Sequence, residues 1–118
     1  VQVGDDKIEA EIERLKAEHK VVLFTKSYCG YCHMAVDCLD KTGLRRDQYK
    51  NIDLQKDVKN GSDYQRVLKQ MTGSHTVPRV FIDSKFVGGG TEMQAEFSSK
   101  RLHERLRDAG FDDIKSSL

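Results

Sequence analysis

A chain of 118 residues is long enough to bury one hydrophobic core and short for two, so a single domain over 1–118 is expected. Lys plus Arg total 20 against 19 for Asp plus Glu, with both signs scattered along the chain, which argues against nucleic acid or anionic lipid as a partner. The longest apolar run, Val21 to Phe24, is too short to span a bilayer and the charged first twenty residues do not read as a signal peptide, so a cytoplasmic or organelle-matrix protein is expected.

Ile8, Ile12 and Leu15 recur at helical spacing, which predicts a helix over 6–18 and leaves Val1 to Gly4 as a frayed end. Val21-Val22-Leu23-Phe24-Thr25 lacks polar alternation and reads as a central strand buried on both faces. From Tyr31 onward Ala35, Cys38, Leu39 and Thr42 mark a second helix that ends at Gly43, a residue suited to the left-handed cap. A second strand is expected over 49–54. The strand-helix-strand order then favours a parallel pair with a right-handed crossover. Ser62-Asp63-Tyr64-Gln65 has the form of a capping box, and Val67, Leu68 and Met71 mark the helix behind it, which ends at Gly73. Arg79 to Asp83 and Lys85 to Gly88 are strand-like runs separated by Ser84 alone, a tight hairpin. Thr91-Glu92-Met93-Gln94 has the form of a second capping box. Met93 and Phe97 share a helical face that Leu102, Leu106 and Ala109 do not, so the helix is expected to break at Ser98-Ser99, with a serine capping its successor. Residues 111–118 read as a polar, partly disordered tail, which leaves the core at about 6–110. No repeat and no linker is seen.

Three cysteines, two of them in Cys29-Gly30-Tyr31-Cys32, do not form a disulfide framework and point to redox or metal chemistry. The spacing serves zinc, haem attachment and dithiol redox alike. Zinc normally takes four ligands, and Cys38, His19, His33, His75 and His103 offer no second pair at ligand spacing. Cys29 to His33 also fits the haem attachment pattern, with Met71 or Met93 as a distant axial ligand, but such attachment belongs to exported chains. The motif instead follows a buried strand and opens a helix. There Cys29 meets unpaired backbone N–H groups and the Lys26 cation, both of which favour the thiolate; such settings bring a thiol from about 8.5 to roughly 3.5–7.5. Cys32, one turn further in, is expected to stay protonated. Cys29 is therefore read as the attacking thiol and Cys32 as the resolving one. Cys38 reads as core, and His33 as a solvated helix residue.

Lys26-Ser27-Tyr28-Cys29-Gly30-Tyr31-Cys32, then Thr76-Val77-Pro78-Arg79-Val80-Phe81-Ile82, then Gly88-Gly89-Gly90-Thr91-Glu92 resemble the motifs of a dithiol glutaredoxin, in the same order. The resemblance covers roughly Lys20 to Gly110. It implies an α/β, thioredoxin-like fold with a four-stranded mixed sheet in order 2-1-3-4 flanked by helices. It also implies a glutathione-dependent thiol-disulfide oxidoreductase that acts on glutathione mixed disulfides and protein disulfides. By the same resemblance Lys26 and Gln65 hold the glycine carboxylate of glutathione, and Tyr31 lines the groove. Thr76, Val77 and Pro78 form an edge whose Val77 backbone pairs with the cysteinyl part, and the Val77-Pro78 bond is cis, although sequence alone favours trans. Gly89, Gly90, Thr91 and Glu92 open a helix that receives the γ-glutamyl carboxylate. Three positions depart from the common pattern: Gly30 stands where proline is frequent, His75 where a basic residue is frequent, and Glu92 where Asp is usual. A small residue at position 30 also raises an alternative, a [2Fe-2S] cluster ligated by Cys29 and glutathione from each of two protomers. A monomer is expected otherwise, with no resident metal.

Overall fold

The computed structural model describes residues 3–115. Helix α1 (Val3–Glu18) presents Ile8, Ile12 and Leu15 inward. It starts three residues before the predicted boundary because its first turn is anchored: the buried Asp5 carboxylate accepts Arg66 Nη2 at 2.5 Å and Nε at 3.3 Å. Of the expected frayed end, Val3 and Gly4 lie in this helix, while Val1 and Gln2 fall outside the described residues.

Strand β1 (Val21–Thr25) is buried throughout and central, as its unbroken apolar run predicts. It pairs in parallel with β2 (Lys50–Asp53) and antiparallel with β3 (Arg79–Ile82), which pairs antiparallel with β4 (Lys85–Gly88), giving the order β2-β1-β3-β4. Successive β1 side chains point to opposite faces. Val21 and Leu23 join a core with α2 (Gly30–Lys41), α4 (Gly90–Ser98) and α5 (Arg101–Asp108); Val22 and Phe24 join a second core with α1 and α3 (Gly61–Thr72). This is the thioredoxin-like arrangement that the resemblance implies. No helix of the described residues is long and apolar enough to cross a membrane.

Several local expectations are corrected. The hairpin turn is Asp83-Ser84, not Ser84 alone, and both residues are left-handed (φ 52 and 67), the conformation that matches a two-residue turn to twisted strands. The first capping box does not form: α3 begins at Gly61 after Asn60, and position 61 admits only glycine, since a Cβ there would sit 2.1 Å from the Leu54 carbonyl oxygen. Gln65 instead donates to the His75 carbonyl at 2.9 Å. The second box lies two residues early, with Gly89 as cap and its N–H donating to Glu92 Oε1 at 2.7 Å. The break between α4 and α5 falls where predicted; Lys100 in the left-handed conformation (φ 70) holds the cap position, while the Ser99 hydroxyl one residue earlier accepts the Arg101 N–H at 3.5 Å. That reversal lets Met93, Leu102 and Leu106 enter one core. Residues 111–115 are not a free tail: Ile114 is buried in the same core, Phe111 packs against it, and the Lys115 N–H donates to the Thr42 carbonyl at 2.8 Å. Residues 116–118 of the expected tail lie outside the described residues.

Candidate functional site

β1 delivers the chain to a short loop, Lys26 to Tyr28, that turns into α2 with Cys29 as its cap residue (φ −133, ψ 111). The Cys29 sulfur takes the role that a serine oxygen takes at other helix starts, accepting the Cys32 N–H at 3.2 Å. It also lies 3.7 Å from the Val77 carbonyl oxygen on the facing segment. Cys29 is half-buried and Cys32 is 3% exposed. Burial first, and then its hydrogen bond with Cys29, push the Cys32 thiol up to about 12. Cys38 is buried as expected, and burial raises its thiol as well.

The loop is tied down from two sides. Ser27 Oγ donates to the Asp53 carboxylate at the end of β2, while the His33 ring Nε2 lies 3.1 Å from the Ser27 carbonyl. Burial works against the Asp53 charge, yet hydrogen bonds from Ser27 and the Gln55 and Lys56 amides hold its carboxyl below the usual range. His33 is exposed, but it is a tether rather than a purely solvated side chain. Sequence spacing could not show this, because its partner lies six residues back across the turn.

The facing segment reaches β3 through a cis Val77-Pro78 peptide, as the resemblance implies. Between it and α4 lies a groove of about 490 Å³ lined by Tyr31, Thr76, Val77, Arg79, Gly89, Gly90, Thr91 and Glu92. Cys29 meets this groove through its contact with the Val77 carbonyl. Glu92 closes back on its own helix start, and the Gly89 amide followed by the Thr91 hydroxyl, 2.9 Å from Oε2, holds its carboxyl below the usual range. Part of the anion-binding capacity expected at this helix start is thereby taken by the chain's own carboxylate.

Seven of the residues that the resemblance assigns to glutathione thus line one groove, and Pro78 lies between two of its lining residues, Val77 and Arg79. Lys26 and Gln65 do not line it. Lys26 borders a neighbouring depression of about 420 Å³ with Cys32, His33, Arg46, Asp53 and Asp57. Gln65 is tied to the His75 backbone. The residue that sequence reading missed is Arg79, taken only as the first strand residue, whose guanidinium is buried at the back of the groove. A charged residue inside an apolar strand run was the available signal.

The family model described as glutaredoxin matches residues 21–87. A glutaredoxin of Ricinus communis is 37% identical over 98 residues, 83% of this chain and 92% of that protein. Among solved structures, oxidized glutaredoxin 2 of Chlamydomonas reinhardtii superposes with a TM-score of 0.83 at 33% identity, covering 90% of this chain and 96% of that one. A buckwheat glutaredoxin-glutathione complex superposes with a TM-score of 0.86 at 30% identity, covering 98% and 99%.

Proposed function

The chain belongs to the glutaredoxin family and is a thiol-disulfide oxidoreductase, and from that premise we propose that it reduces glutathione mixed disulfides, with Cys29 as nucleophile and glutathione as co-substrate. The observation that carries this reading is the placement of the Cys29 sulfur, half-buried, hydrogen-bonded by the Cys32 amide and facing the Val77 edge of a groove. The likeness to a buckwheat protein solved with glutathione supports the identity of the ligand.

In the first step the Cys29 thiolate attacks the glutathione sulfur of the mixed disulfide. The S–S bond breaks, the substrate leaves as a thiolate that takes a proton from solvent, and Cys29 carries glutathione. A second glutathione thiolate then attacks the glutathione sulfur on Cys29, releasing glutathione disulfide and regenerating the Cys29 thiolate. One free glutathione is consumed for each mixed disulfide reduced, the other half of the glutathione disulfide coming from the substrate. With protein disulfides, Cys29 attacks one sulfur to form a mixed disulfide and frees the other as a thiol; Cys32 then gives up its proton and attacks the Cys29 sulfur, releasing the second protein thiol and closing a Cys29-Cys32 disulfide, which two glutathiones reduce as they become glutathione disulfide. A Cys32 thiol raised to about 12 is protonated at neutral pH, which keeps it from competing with Cys29 for the first attack. Lys26 borders the site on the Cys32 side and suits a glutathione carboxylate. The second N–H of Gln65 remains for the same task once one is given to His75.

Turnover on a glutathionylated peptide tests the reading. Cys29→Ser is expected to abolish it, whereas Cys32→Ser keeps glutathione-dependent turnover and loses only reduction of protein disulfides. Equal loss in both variants on the glutathionylated peptide would refute the monothiol route.

A [2Fe-2S] cluster bridging two protomers is the second reading, supported by the open space at Gly30, where a Cβ would meet no atom within 4 Å. Among the described residues no group of three His, Cys, Asp or Glu side chains converges on a metal, so each protomer would contribute Cys29 and a bound glutathione thiol the other ligand. Anaerobic reconstitution with iron, sulfide and glutathione should then give a brown dimer. A colourless monomer would remove this reading.

A further inference from the structure

Arg79 is 7% exposed, and a cation so buried is normally paired with a carboxylate. Here the guanidinium donates to neutral oxygens instead: Nε to the Pro78 carbonyl at 3.0 Å, Nη1 to Thr72 Oγ1 at 3.4 Å and Nη2 to Thr76 Oγ1 at 3.2 Å. Its face lies 5.0 Å from the centroid of the Phe86 ring. On the far wall the approach is so close that a Cβ at Gly89 would stand 3.0 Å from Arg79 Nη2 and 3.2 Å from Glu92 Oε1. One side chain therefore joins the end of α3, the segment before β3 and the start of α4.

The arrangement fixes a particular stretch of backbone. Thr76 is held before Val77 and the Pro78 carbonyl is held after it, so the Val77 peptide is suspended between two anchors of one rigid fork. That peptide carries the carbonyl that faces the Cys29 sulfur. We propose that Arg79 is a positioning residue for this groove, fixing the Thr76–Pro78 edge on which the substrate docks through the geometry of its fork and not through its charge alone. What docks there rests on the glutathione reading above. A lysine would keep the charge but offers one ammonium in place of three donors at fixed angles.

The test is steady-state kinetics of Arg79→Lys on a peptide carrying either a glutathione or a 2-hydroxyethyl mixed disulfide. Whichever disulfide the wild type prefers reads out Arg79, and absence of a preference for the glutathionylated peptide would count against the glutathione reading alone. Arg79→Lys is expected to raise KM on the preferred disulfide by about tenfold, the effect of losing charge-assisted hydrogen bonds. kcat and the rate of Cys29 alkylation should stay within about twofold, since the fork does not touch the sulfur. KM equal to wild type, or a fall in kcat at unchanged KM, would overturn the proposal. Should Arg79→Lys fail to fold by circular dichroism, Thr72→Val with Thr76→Val removes two of the three acceptors, and KM is then expected to rise by about threefold. An unchanged KM in that pair would overturn it equally.

Discussion

Cys29 and Cys32 are three residues apart at one helix start, yet their surroundings divide them. The Cys29 sulfur accepts an amide hydrogen at the half-buried edge of a groove, whereas Cys32 is sealed beneath it and its thiol is pushed up to about 12 by burial and by Cys29. Iodoacetamide at pH 7 should therefore place one adduct on the reduced protein, at Cys29 by peptide mapping. Labelling of Cys32 should rise only as the pH approaches 12, and equal labelling at pH 7 would contradict the assignment. The placement of these two thiols, one at a helix start and one buried a turn further in, was legible in the sequence because spacing from a helix start is local information. The contributions of Arg79 and His33 were not, since His33 reaches a carbonyl back across the turn and Arg79 reaches Thr72 and Thr76 only because the segment before β3 folds around it. Glu92 was legible as a helix-start acid, but whether it would offer its carboxylate outward or fold it onto the Gly89 amide was settled by side-chain reach.

Among the elements, α2 and α3 both begin on glycine, and only α2 has room for a side chain there. Gly61→Ala drives a Cβ into the Leu54 carbonyl and is expected to destabilise the protein by about 2 kcal/mol or more, read from urea unfolding. Gly30→Ala, with nothing within 4 Å, should be neutral or stabilise by up to about 1 kcal/mol, as alanine does elsewhere in helices. Both glycines precede a helical pattern in sequence, so only the neighbouring backbone distinguishes them. The Asp5-Arg66 pair joins α1 to α3, and the Arg66 hydrogen bonds hold the Asp5 carboxyl below its ordinary value in the fold. A carboxyl lowered on folding stabilises fully above its unfolded value of about 3.9, and that stabilisation is lost as pH falls through the lower folded value. The Tm difference between wild type and Asp5→Asn should accordingly be largest near neutrality and close toward the acid limit. A difference that widens on acidification would contradict it.

Across the whole molecule, the sheet carries a core on each face, and the chain beyond α5 completes one of them. Ile114→Ala should cost about 2–4 kcal/mol and lower the Tm by several degrees, which a thermal scan would show, because Ile114 packs in the core that holds Leu23, Leu39 and Leu106. An unchanged Tm would return residues 111–115 to the status of a tail. The sequence misled there because one isoleucine among Asp112, Asp113 and Lys115 has no periodicity to reveal a buried face. By itself the sequence determined the element order, the central strand, the Cys29-Cys32 junction and the family, since each is written in local pattern or contiguous motif. Only the folded chain shows which residues cap α3 and α4, how Lys100 reverses the chain, that Gln65 is tied to the His75 carbonyl, and that Arg79 is buried behind the groove. Those outcomes depend on side-chain reach, left-handed backbone and packing between segments, where geometry overrides local propensity.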